Sequence, residues 1–159
     1  MARKKTADEW FAEYGESHQH RTNELIHWIC VPVIFCSVLG FVWTIPVPIA
    51  WVETVPWFNW SLVAIVGASL FYVWLSPALS AGLLFFMSLC YTALVGLELF
   101  TPWPVWQISS VAFAAAWTGQ FIGHLIERRQ PSFVKDVVFL LIGPAWLMSF
   151  VYRKIGQRY

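Results

Sequence analysis

The residues of this chain best suited to chemistry lie in two short polar stretches, residues 14–27 and 120–127, which are separated by long apolar runs. All four histidines fall within them: His18, His20 and His27 in the first and His124 in the second. Neutral imidazole is the commonest metal ligand at physiological pH, and one ion needs ligands that converge from several elements. If the two stretches meet in the fold, they form a candidate metal site.

Helical spacing decides which side chains of the first stretch can point the same way. On a helix that begins near Thr22, Asn23 and His27 are four residues apart and share a face. His18 precedes His27 by nine positions, which would place it about half a turn away on one continuous helix. We therefore expect His18 to join His27 only if the connector after Gly15 interrupts the helix.

The second stretch places a polar stripe on an otherwise apolar helix. Gln120, His124 and Glu127 follow the spacing i, i+4, i+7 and so line one face. Gly119 and Gly123 form a small-x-x-x-small pair on the adjoining face. Such a pair predicts that another helix backbone comes close beside His124.

Two interpretations of these histidines follow from the residues. A single histidine at a helix end near lipid headgroups is commonly an interfacial hydrogen-bonding group. Three histidines at one leaflet, with an acid and two amides close by, favour a metal ion. Imidazole-rich sites with open positions suit iron(II) and its oxygen chemistry, and zinc is the alternative.

Composition predicts an all-α membrane protein. Of the 159 residues, 58% are apolar and 12% are charged, against about 45–50% and 25% in soluble domains. The chain also contains 11 Trp and 13 Phe, residues that collect at membrane interfaces and helix contacts. A net charge of +1 with no basic stripe argues against a nucleic-acid partner. We interpret Cys30, Cys36 and Cys90 as small core residues, because no C-x-x-C pair is present.

The elements that must position the polar stretches form a single membrane domain over residues 1–159. Thr6 and Glu9 form a capping-box pattern that predicts an interfacial helix at 6–15. Four segments of near-spanning length predict a compact bundle of transmembrane helices, since an open strand would leave backbone groups unpaired in lipid. Gly143 and Pro144 predict a broken or re-entrant fifth segment. The predicted segments are 26–43, 60–75, 77–97, 105–126 and 134–151.

Positive charge predicts the orientation. Arg3, Lys4, Lys5 and Arg21 precede the first segment, and Arg128, Arg129 and Lys135 follow the fourth. The outer loops between these clusters contain no Lys or Arg. The positive-inside rule therefore places both polar stretches, and the metal site, at the cytoplasmic face of the membrane, which would be the inner membrane of a bacterium or the endoplasmic reticulum of a eukaryote. The tail carries Arg153, Lys154 and Arg158, which favours a fifth segment that does not cross.

The pattern resembles that of a known family. Its motif here is Tyr14-x-x-x-His18, Asn23, His27 and Pro32, then Gln120-Phe121-x-Gly123-His124-x-x-Glu127 and Pro131. This arrangement is similar to the small membrane family that includes the fungal 2-hydroxy fatty acid dioxygenase of phytosphingosine breakdown. The resemblance spans nearly the whole chain and is strongest in the two polar stretches and around Gly143-Pro144. The spacing after His124 looks more like that of bacterial members.

The resemblance implies an iron(II)-dependent α-oxidation, in which dioxygen and a 2-hydroxy fatty acid at the membrane yield a fatty acid one carbon shorter. It implies His18, His27 and His124 as metal ligands. It also implies supporting catalytic roles for Tyr14, Asn23, Gln120 and Glu127. His20 stands where we expect Asn in relatives and is an additional ligand candidate. The alternatives are a non-catalytic membrane scaffold or transport protein and a zinc-dependent lipid hydrolase; the oligomeric state stays open.

Overall fold

The computed structural model describes residues 5–55, 57–130 and 138–159, which form helices and no strands. This confirms the all-α prediction for the described part of the chain. Seven helices occur there: α1 Ala7–Gly15, α2 Arg21–Trp43, α3 Ile49–Thr54, α4 Trp60–Leu75, α5 Pro77–Phe100, α6 Val105–Glu127 and α7 Phe139–Lys154. The predicted segment 60–75 matches α4, whereas α2 begins five residues before the predicted 26 and α5 extends three residues past 97.

Helix α1 begins at the capping box predicted from the sequence. The Thr6 hydroxyl accepts a hydrogen bond from the Glu9 backbone N–H at 3.3 Å, and the Glu9 carboxylate accepts one from the Thr6 N–H at 2.8 Å. Phe11 and Tyr14 lie on the buried face of this short helix. Two backbone donors that would otherwise lack partners are thereby satisfied, which fixes where the helix starts.

Helices α2 and α6 form the most extensive pairing of the fold and run antiparallel. The two glycines of α6 explain the close approach. A Cβ atom at Gly119 would lie 2.8 Å from the Cys30 sulfur, and one at Gly123 would overlap the Asn23 side chain. Near the other ends of the two helices, Gly40 of α2 meets Ser109 of α6. The predicted close backbone contact beside His124 is confirmed.

Two described helices, α2 and α5, are long and apolar enough to cross a membrane, fewer than the four predicted spans. In their most apolar windows 39% and 22% of the residues are buried, so much of their apolar surface lies outside the core, which suggests membrane association. Helix α4 has 16 residues, which is about 24 Å of helix against the ~30 Å of a hydrocarbon core. Helix α6 carries the polar stripe described above.

The predicted break at Gly143-Pro144 is wrong, because α7 continues through both residues from Phe139 to Lys154. Pro144 has no backbone N–H group, so the carbonyl of Leu140 loses the donor that it would have in a regular helix. Pro144 lies in the second turn of α7, and the helix tolerates the loss of this one hydrogen bond. The first part of the predicted 134–151 segment and Pro131 lie outside the described residues.

Helix α7 packs against one end of the bundle over its whole length. Its first residue, Phe139, meets Trp10 of α1 with ring centroids 5.7 Å apart. Near its other end, the Tyr152 hydroxyl donates to the carbonyl of Ala78, in the first turn of α5, at 2.9 Å. Both ends of α7 therefore contact the end of the bundle where α1 lies.

Candidate metal centre

Three histidines from three elements converge where α1, α2 and α6 meet. The ring centroids of His18 and His27 are 4.2 Å apart. The ring centroid of His124 lies 5.1 Å from that of His18 and 5.0 Å from that of His27. All three side chains are buried, and their candidate ligand atoms lie within 4.8 Å of one another. This group can hold a metal ion.

The chain turns sharply between α1 and α2, and this turn brings His18 to His27. The N–H of His18 donates to the carbonyl of Gly15 at 3.0 Å, which ends α1. Helix α2 begins only at Arg21, with His20 at the N-cap. The interruption that the spacing of His18 and His27 required is present in the structure.

Backbone carbonyls determine which ring nitrogens remain available. Nδ1 of His18 donates to the carbonyl of Tyr14 at 2.6 Å, and Nδ1 of His27 donates to the carbonyl of Asn23 at 2.9 Å. A carbonyl oxygen can only accept, so each Nδ1 carries the proton and each Nε2 keeps its lone pair. The Gln120 side chain approaches His27. Even so, no hydrogen bond of standard geometry joins any described group to Nε2 of His18, Nε2 of His27 or Nδ1 of His124.

The electrostatic environment keeps the first of these rings neutral. Burial, with a smaller contribution from nearby His27, lowers the pKa of His18 to about 3. Burial also raises the pKa of Tyr14, whose ring stacks on His18 with centroids 4.2 Å apart and planes 12° from parallel. A buried cluster of imidazoles whose nitrogens lack partners is costly unless something binds them. The donor set fits a divalent transition metal such as iron(II) or zinc.

Glu127 and Asn23 connect the three elements that carry the histidines. One carboxylate oxygen of Glu127 accepts from the backbone N–H of Gln19 at 2.6 Å, and the other accepts from Nδ2 of Asn23 at 2.6 Å. The same Asn23 nitrogen donates to the carbonyl of Ser17 at 3.1 Å. Glu127 thus holds the 16–20 connector against α2 and α6, and it lies outside the group of three histidines.

The remaining predicted site residues occupy different positions. Gln120 is buried and, with Tyr14, lines the cavity described below. His20 is exposed, and its Nδ1 accepts from the Thr22 backbone N–H at 3.2 Å. The structure places His20 outside the group of three histidines.

An apolar cavity of about 440 Å³ extends from the histidines between α2, α6 and α7. On α2 it reaches Val38 and on α6 it reaches Phe113, each 11 residues from the nearest histidine of its helix. That distance is about 16 Å along a helix. Val38 and Leu140 are 43% and 41% exposed, so the cavity opens on the apolar flank of the protein. Its other walls are Val31, Ile34, Phe35, Trp117, Val138, Phe139, Leu141 and Gly143.

A second cavity of about 340 Å³ also reaches His18 and is more polar. It is lined by Asp8, Gln19, Glu24 and Arg153, among others. His18 therefore lines both an apolar cavity and a polar one.

Comparison with known proteins agrees with this geometry. The model of a family described as 2-hydroxy-palmitic acid dioxygenase Mpo1-like matches residues 4–155. The chain belongs to the Mpo1-like family. No curated protein and no solved structure matches the chain significantly.

One residue beside the histidines of this Mpo1-like protein was not predicted from the sequence. Trp146 of α7 is buried with its ring centroid 5.2 Å from Tyr14 and 5.3 Å from His18. In the sequence it is one of many aromatic residues in apolar segments, so its type and spacing carried no signal. The only hint was its position two residues after Gly143-Pro144, where the family resemblance is strong.

Proposed function

We propose that this Mpo1-like protein is a membrane-embedded, iron(II)-dependent dioxygenase that shortens 2-hydroxy fatty acids by one carbon. One observation carries the proposal. Three buried imidazoles, whose inward nitrogens have no hydrogen-bond partner among the described residues, lie at the end of an apolar cavity long enough for an acyl chain. The description of the family names a member of the same substrate class, 2-hydroxy-palmitic acid.

The proposed reaction balances with dioxygen as the sole oxidant. A 2-hydroxy acid, R–CHOH–COOH, and O₂ give R–COOH, CO₂ and H₂O. The bond between C1 and C2 breaks, the two carbons together lose four electrons, and these electrons reduce O₂. When bound, iron(II) would supply open coordination positions for the 2-hydroxycarboxylate and the redox chemistry that dioxygen requires.

The residues of the chain bind and position the substrate. His18, His27 and His124 would hold the metal at the polar end of the cavity, and the apolar walls would hold the tail. This arrangement would bring C1 and C2 of the substrate to the histidine end of the cavity, a positioning effect. Tyr14 and Gln120 present a hydroxyl and an amide to the same cavity, and we assign them to hydrogen bonding with the substrate oxygens.

Other residues would preserve this arrangement. Asn23 and Glu127 fix the connector that carries His18. Trp146 packs against Tyr14 and His18 and would keep both rings in place. We assign these residues to positioning of the metal centre, with no direct part in the bonds that break or form.

We place the protein in the membrane with α2, α4, α5 and α6 as spans. Helices α1 and α7 would lie at the cytoplasmic interface, in accordance with the positive clusters beside α2 and α6. An amphiphilic substrate could then enter sideways through the open flank near Val38 and Leu140, with its carboxylate at the level of the headgroups. The proposed membrane is the bacterial inner membrane, or the endoplasmic reticulum in a eukaryote.

The decisive experiment incubates anaerobically purified, iron-loaded protein with 2-hydroxypalmitate and then admits oxygen. We expect pentadecanoic acid, with oxygen consumed and CO₂ released in equal amounts, and no product from palmitate, which lacks the hydroxyl group. Turnover of the zinc-loaded protein without oxygen would instead indicate a lipid hydrolase. Failure to retain a stoichiometric transition metal would indicate a scaffold or transport protein.

A further inference from the structure

A large cavity lies at the end of the bundle opposite the histidines. This far cavity has a volume of about 760 Å³ and is formed where α2 and α5 end, where α6 begins and where the chain enters α4. Its walls include six aromatic side chains: Trp43, Trp57, Phe58, Tyr91, Trp103 and Trp106. The proposed reaction makes no use of it.

The charge around the far cavity has one sign. Glu98 lines it and forms no ion pair or hydrogen bond with any described residue. The sequence contains no Lys or Arg between Arg21 and Arg128, so no cationic side chain of the intervening helices can neutralise this carboxylate. Glu53, on the adjacent α3, adds a second negative charge to the same end.

Contacts between helices hold the walls of the far cavity in place. The rings of Trp43 and Tyr91, from α2 and α5, lie 5.3 Å apart. Nδ2 of Asn59 donates to the carbonyl of Trp43 at 3.0 Å, and its Oδ1 accepts from the Ser61 N–H at 2.8 Å. Trp57, Trp103 and Trp106 are 70%, 64% and 49% exposed, and together with Trp43 and Tyr91 they line one concave surface.

From this geometry we infer that the far cavity binds the ammonium headgroup of a membrane phospholipid. Aromatic faces attract ammonium groups through the ring quadrupole, and cages of aromatic side chains recognise quaternary ammonium ligands in this way. Glu98 supplies the counter-charge. Next to the cavity the apolar surface of α5 is open, with Leu99 69% and Phe100 85% exposed, so acyl tails have a surface to lie against. A lipid fits this combination better than a soluble ammonium compound.

The test compares two lipids that share acyl chains and differ in the headgroup. The intact protein is reconstituted with equal amounts of dioleoyl phosphatidylcholine and dioleoyl phosphatidylglycerol, and native mass spectrometry counts the lipids that it retains. We expect a preference for phosphatidylcholine that falls about tenfold in Glu98→Gln and in Trp103→Leu, since both remove attraction for the cation. The matched variants Glu53→Gln and Trp51→Leu alter the same end of the protein outside the cavity and should keep the preference.

Excess choline chloride should displace the retained phosphatidylcholine, because it carries the same ammonium group. Equal retention of the two lipids by the unaltered protein would overturn the inference. So would an equal loss of preference in Glu98→Gln and Glu53→Gln, which would indicate only general surface charge. Tight binding of choline without retention of phosphatidylcholine would overturn the lipid assignment. Circular dichroism of each variant reports its folding without reference to the histidines, so this result stands apart from that for the dioxygenase.

Discussion

At the scale of residues, the candidate metal centre depends on two local hydrogen bonds of the same form. Each joins a histidine Nδ1 to the carbonyl four residues earlier, Tyr14 for His18 and Asn23 for His27. Each bond fixes the tautomer with the proton on Nδ1 and leaves the lone pair on Nε2, which is how backbone carbonyls prepare metal-binding imidazoles. His124 completes the group from the opposite helix, so no single helix could supply the site.

The three converging histidines should be indispensable for metal binding, whereas His20 should not. We expect His18→Ala, His27→Ala and His124→Ala each to weaken iron binding more than about 100-fold, beyond the loss typical of changing a residue that only hydrogen-bonds to a metal ligand, and to abolish turnover. His20→Ala is the matched control, because His20 is exposed and outside the group. Metal analysis after equilibrium dialysis measures the effect. An alanine variant of the three that retains full iron and activity would reject the assignment.

Glu127 should act through the connector that carries His18. Glu127→Ala removes the acceptors of the Gln19 and Asn23 bonds, so we expect a 10- to 100-fold loss of iron affinity with α-helical content unchanged by circular dichroism. Glu16→Ala removes an exposed acid of the same connector and is the control. If iron affinity in Glu127→Ala equals that of the control, the connector does not depend on this carboxylate.

At the scale of elements, the parts of the site that follow from helical periodicity could be predicted from the sequence. The break before α2, the polar stripe of α6 and the close approach at Gly123 all follow from spacing within one segment or from residue size. The position of Trp146 could not be predicted, since it depends on how α7 packs against α1. The continuity of α7 was missed because a Gly-Pro pair carries no information on whether tertiary contacts will support the helix.

The close contact of α2 and α6 should make Gly123 sensitive to a single methyl group. A Cβ there overlaps Asn23, which two hydrogen bonds hold in place. We expect Gly123→Ala to destabilise the protein by about 1–3 kcal/mol and to weaken iron binding. Gly96→Ala is the matched control on α5, because nothing lies within 4 Å of the added Cβ, and it should be neutral or stabilising by up to about 1 kcal/mol. Unfolding in detergent compares them, and equal stability of the two variants would contradict the packing argument.

The length of the apolar cavity should determine the preferred acyl chain. An extended chain advances about 1.2 Å per bond, as in a polypeptide, so about 16 Å accommodates roughly 13 bonds beyond the carboxylate end. Val38→Trp should fill the open end and lower kcat/KM for 2-hydroxypalmitate about tenfold, the effect of losing about two buried methylenes, with little effect on 2-hydroxydecanoate. Val63→Trp, a similarly exposed change on α4, should leave both values unchanged. A uniform loss over all chain lengths would reject the cavity as the tail site.

At the scale of the whole molecule, the two ends of the bundle differ in composition. Helices α1 and α7, the histidines and Arg21, Arg128 and Arg129 lie at one end. The far end holds aromatic residues with Glu53 and Glu98. This separation agrees with the proposed orientation, in which the positive-inside rule would put the histidine end at the cytoplasm. In that orientation the proposed lipid site and the proposed dioxygenase site would lie on opposite membrane surfaces.

The contacts at both ends of α7 indicate that the C-terminal tail lies at the same end of the helix bundle as the polar end of α6. The Tyr159 hydroxyl donates to Asp8 of α1 at 3.3 Å, which adds a contact between the tail and α1. We expect Gln157→Cys and Gln130→Cys to react with a membrane-impermeant maleimide only from the cytoplasmic side of sealed vesicles, and Thr54→Cys only from the other side. All three positions are exposed and uncharged, so the substitutions leave the charge bias that directs insertion intact. Labelling of Gln157→Cys from the same side of the vesicles as Thr54→Cys would show that α7 crosses the membrane. The proposal that α7 lies at the cytoplasmic interface beside the metal centre would then be wrong.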